Sequence, residues 1–156
     1  MSDAKSNKMT KWIGFIILTL AAGLIYPVPY LKTVFYDNMV SDFGLTNTQI
    51  GLLMTVYSLT KTILYIPGGI LADKFDNRKM LLGSTGLLAI LTFWYATSPG
   101  FAVLRVIYFF LAISNVLFWV SFVKAVRLFG SEDEQGSVFG YSEGIRAIQT
   151  DRKSVV

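Results

Sequence analysis

The chain contains neither cysteine nor histidine in its 156 residues. Disulfides are therefore excluded, and zinc or haem sites of the usual ligand types lack their donors. Without cysteine, the sequence also carries no signal of redox compartment. Charge is scarce as well: 15% of the residues are Asp, Glu, Lys or Arg, against about 25% in an average soluble domain. None of these four occurs within residues 12–31, 80–104 or 106–123. Such gaps match the roughly 20 apolar residues that a helix needs to cross the hydrocarbon core. A soluble helix would instead show charge on one face at every turn. The net charge of +4 forms no continuous basic face, because its lysines and arginines stand between hydrophobic runs; a nucleic-acid partner is not expected. No Gly-rich loop ending in Lys-Ser or Lys-Thr is present, so the chain has no nucleotide-hydrolysing site of that kind.

What remains is 53% hydrophobic and divides into spans. Residues 1–11 form a polar tail with Lys5, Lys8 and Lys11. The first span covers about residues 12–34, too long for the apolar core of a secretory signal, although Ala21-Ala22-Gly23 resembles a cleavage site. Trp12 at one end and Tyr26, Tyr30 and Tyr36 towards the other suit the two interfaces. Pro27 and Pro29 either kink this helix or end it. Residues 36–46 read as a loop, and Thr46 with Gln49 three residues on reads as a capping box. The second span is expected at about 47–71, a tight charged turn at 73–79, the third span at 80–97 and the fourth at 101–122, extending towards Leu128. An acidic turn at 130–135 precedes Gly136, which opens a fifth span that the chain leaves unfinished. Gly136, Gly140 and Gly144 form a small-residue face suited to close helix packing.

Cytoplasmic segments of membrane proteins are enriched in Lys and Arg. Lys5, Lys8 and Lys11 precede the first span, Lys74, Arg78 and Lys79 follow the second, and Lys124 and Arg127 follow the fourth. All of these fall on one side, and the opposite loops hold only Lys32. The N-terminus is therefore expected in the cytoplasm.

The last residues break the pattern. Asp151, Arg152 and Lys153 would lie in mid-membrane, at several kcal/mol each. Residues 151–156 also match the translation, ending in a stop, of the read-through strand of a common sequencing-library adapter. The expectation is that these six residues are foreign and that the natural gene continues. The alternative is a genuine short chain with a charged outer tail.

The turn after the second span reads Gly69-Ile70-Leu71-Ala72-Asp73-Lys74-Phe75-Asp76-Asn77-Arg78-Lys79. It resembles the signature loop of the major facilitator superfamily: Gly, three residues, Asp, a basic residue, one residue, Gly, then basic residues. Gly69, Asp73, Lys74, Arg78 and Lys79 match, whereas Asp76 stands for the second Gly and Asn77 for a basic residue. The preceding Ile66-Pro67-Gly68-Gly69 also resembles the usual end of that helix. Gly69 would allow close helix approach. Asp73, just past a helix end, would accept from free amides of a neighbouring helix N-terminus. The three basic residues would hold the turn in the cytoplasm and pair with acids elsewhere. A second family pattern, centred on an Arg in the fourth span, is matched only at Arg105; Tyr108 and Phe109 occupy the positions of its polar residue and Gly. Snorkelling to the interface accounts equally well for Arg105. The stretch 122–141 resembles the family's turn between the fourth and fifth spans. The resemblance covers residues 12–148. It implies an all-α polytopic membrane protein with four complete transmembrane helices and a truncated fifth, part of the N-terminal six-helix bundle of a fold of about twelve spans. It also implies that the signature loop latches the two halves and opens during the conformational cycle.

Charges inside the spans are the candidates for substrate contact. Lys61 lies near the middle of the second span, about 18 Å from its outer end at 1.5 Å per residue. Its insertion costs about 2.5–3.5 kcal/mol, so it should face a wet cavity or a partner. Glu143 and Arg146 are spaced to pair on one helix face. Their pairing would leave Lys61 as the excess charge and favour an anionic solute; a structural ion pair to an acid on a helix outside this chain is the alternative. Tyr57, Ser58, Tyr65 and Trp119 are further candidates for the same cavity.

Taken together, the expectation is a secondary active transporter in a bacterial inner (plasma) membrane, moving a small solute by alternating access. Its partners would be the lipid bilayer, the small-molecule substrate, a coupling proton or sodium ion, and the remaining helices of the full-length transporter. No cofactor is expected. A membrane-embedded enzyme would need paired acids, His, Cys or metal ligands near the interface, and the acidic cluster at 132–134 reads as a solvated turn. The other alternative is a small accessory or structural protein of four to five spans, or a nonfunctional fragment.

Overall fold

A computed structural model describes residues 2–25, 28–33, 36–97, 99–130 and 134–151, all in helices and short connections. Six α-helices follow in order: α1 Ser2–Ile25, α2 Tyr36–Ser41, α3 Asn47–Lys74, α4 Asn77–Ala96, α5 Phe101–Phe129 and α6 Gln135–Asp151, with a 3-10 helix at Val28–Thr33. Four stretches are long and apolar enough to cross a membrane: Lys11–Tyr30, Asn47–Lys74, Asn77–Ala96 and Phe101–Phe129. At 28 residues, α3 is about 42 Å long, so its ends pass the roughly 30 Å hydrocarbon core into both interfaces.

Several boundaries differ from the sequence-based expectation. The polar tail is helical from Ser2 onward, continuous with the first span. The α-helix ends at Ile25 and Pro29 lies in the 3-10 helix, where its missing N–H costs little; Pro27 is outside the described residues. The segment 36–46, expected to be a loop, begins with α2. Ile66-Pro67-Gly68-Gly69 does not end its helix: Pro67 lies inside α3, which continues to Lys74. The charged turn is correspondingly short, since Asp73 and Lys74 are still helical and α4 begins at Asn77. The expected capping box is present. The Thr46 side chain accepts from the Gln49 N–H at 3.3 Å, and the Thr46 N–H donates to Gln49 Oε1 at 2.9 Å. Arg152 to Val156, most of the segment expected to be foreign, lies outside the described residues; α6 runs to Asp151.

The chain divides into two compact units, Met1–Leu24 with Phe122–Val156, and Ile25–Ser121. In the second unit α5 is the most enclosed span, burying Leu104, Ile107, Tyr108, Leu111, Ala112, Ser114, Asn115 and Val116. Its contact with α4 includes a polar bond: Ser114 Oγ donates to the Ser84 carbonyl at 2.7 Å. Its contact with α3 is close at Gly68, where an added Cβ would lie 2.8 Å from Val116 Cγ1. By contrast, α3 and α4 each keep a bare apolar face, with Ile66 79% and Phe93 80% exposed. Such faces are unfavourable in water and ordinary in a bilayer, where lipid or further helices cover them.

In the first unit, an aromatic cluster joins three helices. Phe15 of α1 packs on Phe129 of α5 with ring centroids 4.7 Å apart, and Trp12 meets Phe129 at 5.2 Å and Tyr141 of α6 at 6.4 Å. Farther along, Gln149 of α6 donates from Nε2 to the Leu20 carbonyl at 3.3 Å, and its amide lies against Gly23. The face Gly136, Gly140, Gly144 does not make the close packing expected of it. All three are exposed, and a Cβ at any of them would meet nothing within 4 Å. Buried Val138 and Ser142 lie on a different side of α6.

Candidate functional site

Two groups of candidate residues take shape in the structure, the turn between α3 and α4 and the middle of α3. At the turn, the Phe75 N–H closes α3 by donating to the Leu71 carbonyl at 3.0 Å. One residue later the backbone is extended at Asp76, whose Oδ1 accepts from the Lys79 N–H at 3.1 Å. Asp76 is thus the N-cap of α4. Asp73 is exposed within the last turn of α3, one turn before Asp76. The residue that departs from the family pattern, Asp76, is thus the one that starts α4, and Asp is a favoured N-cap residue.

Gly69 lies inside α3. A Cβ there would meet nothing within 4 Å, so within this chain the close approach belongs to its neighbour Gly68. The basic residues Lys74, Arg78 and Lys79 are all exposed. Lys74 complements the negative end of α3, but Arg78 and Lys79 lie in the first turn of α4, at its positive end. That placement is unfavourable by about 0.3–1 kcal/mol each at an exposed site. Helix stability therefore does not explain these two charges.

In α3, Tyr57 and Lys61 lie one turn apart. Tyr57 is 1% exposed and meets the Tyr30 ring edge-on at 5.9 Å. Lys61 is half-buried, with Nζ 5.7 Å from the Tyr57 ring centroid, within cation–π range. Tyr65, one more turn along the same stripe, is exposed. Ser58 faces elsewhere, on a shallow groove with Met54, Thr55, Leu59, Thr62 and Ile63. Trp119 is half-buried on α5. Arg105 is exposed near the start of α5, with its guanidinium carbon 5.0 Å from the Phe101 ring centroid and its groove lined by its own helix. This is the arrangement of a snorkelling arginine. In the other unit, Glu143 and Arg146 pair at 2.5 Å on α6, with Arg146 largely enclosed and Glu143 exposed. No group of three or more acids that could hold a metal ion occurs among the described residues.

Reasoning from sequence missed three features of this region. The N-cap at Asp76 was legible in principle, since Asp before a helix start is a standard signal. The stack of Phe43, Tyr95 and Tyr108, with centroids 5.5 and 6.2 Å apart, joins residues far apart in sequence and has no local signature. The same holds for the bond from Ser114 to Ser84.

Comparison with known proteins agrees with the architecture. Residues 11–148 match the family model of the Major Facilitator Superfamily. "Inner membrane protein YqcE" of Escherichia coli K12 is 36% identical over 146 residues, 91% of this chain and 34% of that protein. "Inner membrane protein YihN" of the same organism is 37% identical over 142 residues, 88% of this chain and 33% of that protein. "Quinolone resistance protein NorA" of Staphylococcus aureus is 30% identical over 95 residues, 60% of this chain and 22% of that protein. The chain spans about a third of the length of the first two relatives. No solved structure gives a significant match. With four helices fit to cross a bilayer and a family match along nearly all of its described length, the chain is an integral membrane protein and belongs to the Major Facilitator Superfamily.

Proposed function

We propose that this chain is the N-terminal part of a secondary active transporter that carries a small organic anion across a bacterial inner membrane by alternating access. Family membership and the transporter architecture support the general activity. The observation that carries the specific reading is Lys61, a cation half-buried at mid-span beside the enclosed ring of Tyr57. A charge retained at this depth against an insertion cost of about 2.5–3.5 kcal/mol marks a solute or ion pathway, and its sign favours a carboxylate or phosphate ester. In this reading Tyr57 positions the ammonium, while Trp119 of the same unit is a secondary candidate for contact with the solute.

The α3–α4 turn supports a gating role. Its basic residues Arg78 and Lys79 are exposed where the helix dipole disfavours them, and acids on the remaining helices would complement them in one state of the cycle. Gly69, Asp73 and Lys74 belong to the same latch. The charge distribution supports a cytoplasmic position for this turn and the N-terminus.

The test is uptake of labelled organic acids and phosphate esters by cells expressing the complete gene, with Lys61→Gln alongside. Loss of about tenfold or more for an anionic solute, equivalent to about 1.4 kcal/mol, is the expected result. Undiminished uptake of that solute overturns the role of Lys61. Uptake confined to neutral or cationic solutes overturns the anion reading while leaving transport in place.

A further inference from the structure

On α3, Tyr57 lies one turn nearer than Lys61 to the Asn47 end of the helix, about 6 Å along the axis. Its ring is almost fully enclosed and touches two neighbours of different chemistry. The Lys61 ammonium lies 5.7 Å from the ring centroid, and the Tyr30 ring meets it at 5.9 Å with an interplanar angle of 80°. Tyr30 belongs to no span helix. It stands on the 3-10 helix Val28–Thr33, just after the buried Pro29. Six residues is longer than the three or four usual for this helix, whose hydrogen bonds are poor, so the segment depends on contacts outside itself.

Those contacts come from the rest of the connection between the first two spans. Helix α2 packs against the 3-10 helix. The Tyr36 hydroxyl donates to Asn47 Oδ1, at the start of α3. Beyond α2, Met39 and Leu45 are buried, and Phe43 lies on Tyr95 of α4 with ring centroids 5.5 Å apart. Gly44, at φ 61°, turns the chain into the N-cap at Thr46. All of these residues belong to one compact unit. The connection is thus a strap, tied to α3 and α4 at one end and carrying Tyr30 onto Tyr57 at the other.

We propose that this strap sets the solute site, with Tyr30 as a positioning residue that holds the Tyr57 ring over Lys61. A cation–π contact is stronger when its ring is shielded from water than at an open surface. Lysine also has a long, freely rotating stem, so a fixed ring narrows where its ammonium can lie. The inference rests on the reading of Lys61 as the anion contact.

The test separates the strap from the solute. In the complete transporter, with any cysteine outside this chain replaced by serine, Lys61→Cys is treated with a small methanethiosulfonate reagent in membrane vesicles. Adding Tyr30→Ala should raise the rate of modification about tenfold, the shift in population that loss of an aromatic contact gives. Tyr30→Leu keeps apolar bulk and is the milder change for the fold; it should raise the rate about threefold, and Tyr30→Phe should leave it within about twofold. Equal rates for all four proteins, or a rate with Tyr30→Phe as high as with Tyr30→Ala, overturns the strap. Uptake gives the second readout, with Lys61 restored. For the anionic solute, Tyr30→Ala should raise KM about tenfold with little change in maximal rate, and should add nothing in a Tyr57→Leu background, because Tyr30 acts through Tyr57. A lowered maximal rate at unchanged KM, or additive effects of the two substitutions, overturns the positioning role. Failure of the anion reading shows separately, as normal anion uptake by Lys61→Gln, and the thiol rates then still decide the strap.

Discussion

Asp76 Oδ1 accepts the backbone N–H of Lys79 at 3.1 Å, and with that bond only two residues separate the end of α3 from the start of α4. The turn at the heart of the family signature is therefore built as an N-cap. Its basic side chains remain outside, available for partners other than their own helix.

Removing the cap should cost what caps cost. Asp76→Ala is expected to lower stability by about 1 kcal/mol and Asp76→Gly by only a few tenths. Thermal unfolding in detergent, followed by far-UV circular dichroism, checks the order. Equal midpoints for the two variants would show that the Asp76 carboxylate does not hold this turn.

Neighbouring glycines should behave differently. Gly68→Ala places a methyl 2.8 Å from Val116 Cγ1 and should destabilise by about 1–3 kcal/mol. Gly69→Ala meets nothing and should be neutral in this chain or slightly favourable to the helix. Val116→Ala in the Gly68→Ala background should restore part of the loss. The same unfolding assay decides, and a neutral Gly68→Ala would mean that α3 and α5 can separate there freely.

Lys61 should oppose membrane insertion of its own helix. Lys61→Leu is expected to favour insertion of α3 by about 2.5–3.5 kcal/mol in a translocon assay with glycosylation sites flanking the segment. At the same time it should abolish uptake of the anionic solute in the full-length protein. Improved insertion with unaltered uptake would identify Lys61 as a structural charge.

Orientation can be read without first preparing a cysteine-free background, since the chain has no cysteine. Phe75→Cys, exposed between α3 and α4, should be protected from a membrane-impermeant maleimide in intact cells, and Asp42→Cys, exposed after α2, should react. The reverse pattern would invert the topology.

Loss of the α4–α5 polar bond should have a small effect. Ser114→Ala removes the donor to the Ser84 carbonyl and is expected to cost about 0.5–1 kcal/mol, the usual range for such bonds between spans. Reduced resistance of the purified chain to unfolding in sodium dodecyl sulfate would register it, and an unchanged transition would show that the carbonyl finds another donor.

The legible part of the fold was the part governed by solvent. Long apolar stretches and the polar turns between them located four spans within a few residues of their observed positions, because water and hydrocarbon sort side chains regardless of which helices later touch. The capping box at Thr46 was legible because its two partners lie three residues apart. The pairing of Glu143 with Arg146 was legible for the same reason. Errors fell where a local rule met a longer-range one. The second span, expected to run through Pro67 to about residue 71, continues as α3 to Lys74. In a bilayer the cost of ending a helix early is several unsatisfied backbone groups, which outweighs the one bond that proline removes. Gly136, Gly140 and Gly144 read as a packing face, but their spacing says only that a close partner would be tolerated, and α6 packs by another side.

By itself, then, the sequence determined the membrane as solvent, the number and approximate ends of the spans, the expected side of each loop and the family signature. Each of these depends on composition or on residues within one or two turns of one another. The tertiary structure alone decided that Gly68 and not Gly69 admits Val116, that Ser114 bonds to Ser84, and that Trp12, Phe129 and Tyr141 meet at one corner. These depend on how helices are rotated and how closely they approach. Both are set by side-chain packing between segments remote in the chain, which hydropathy along a single helix does not encode.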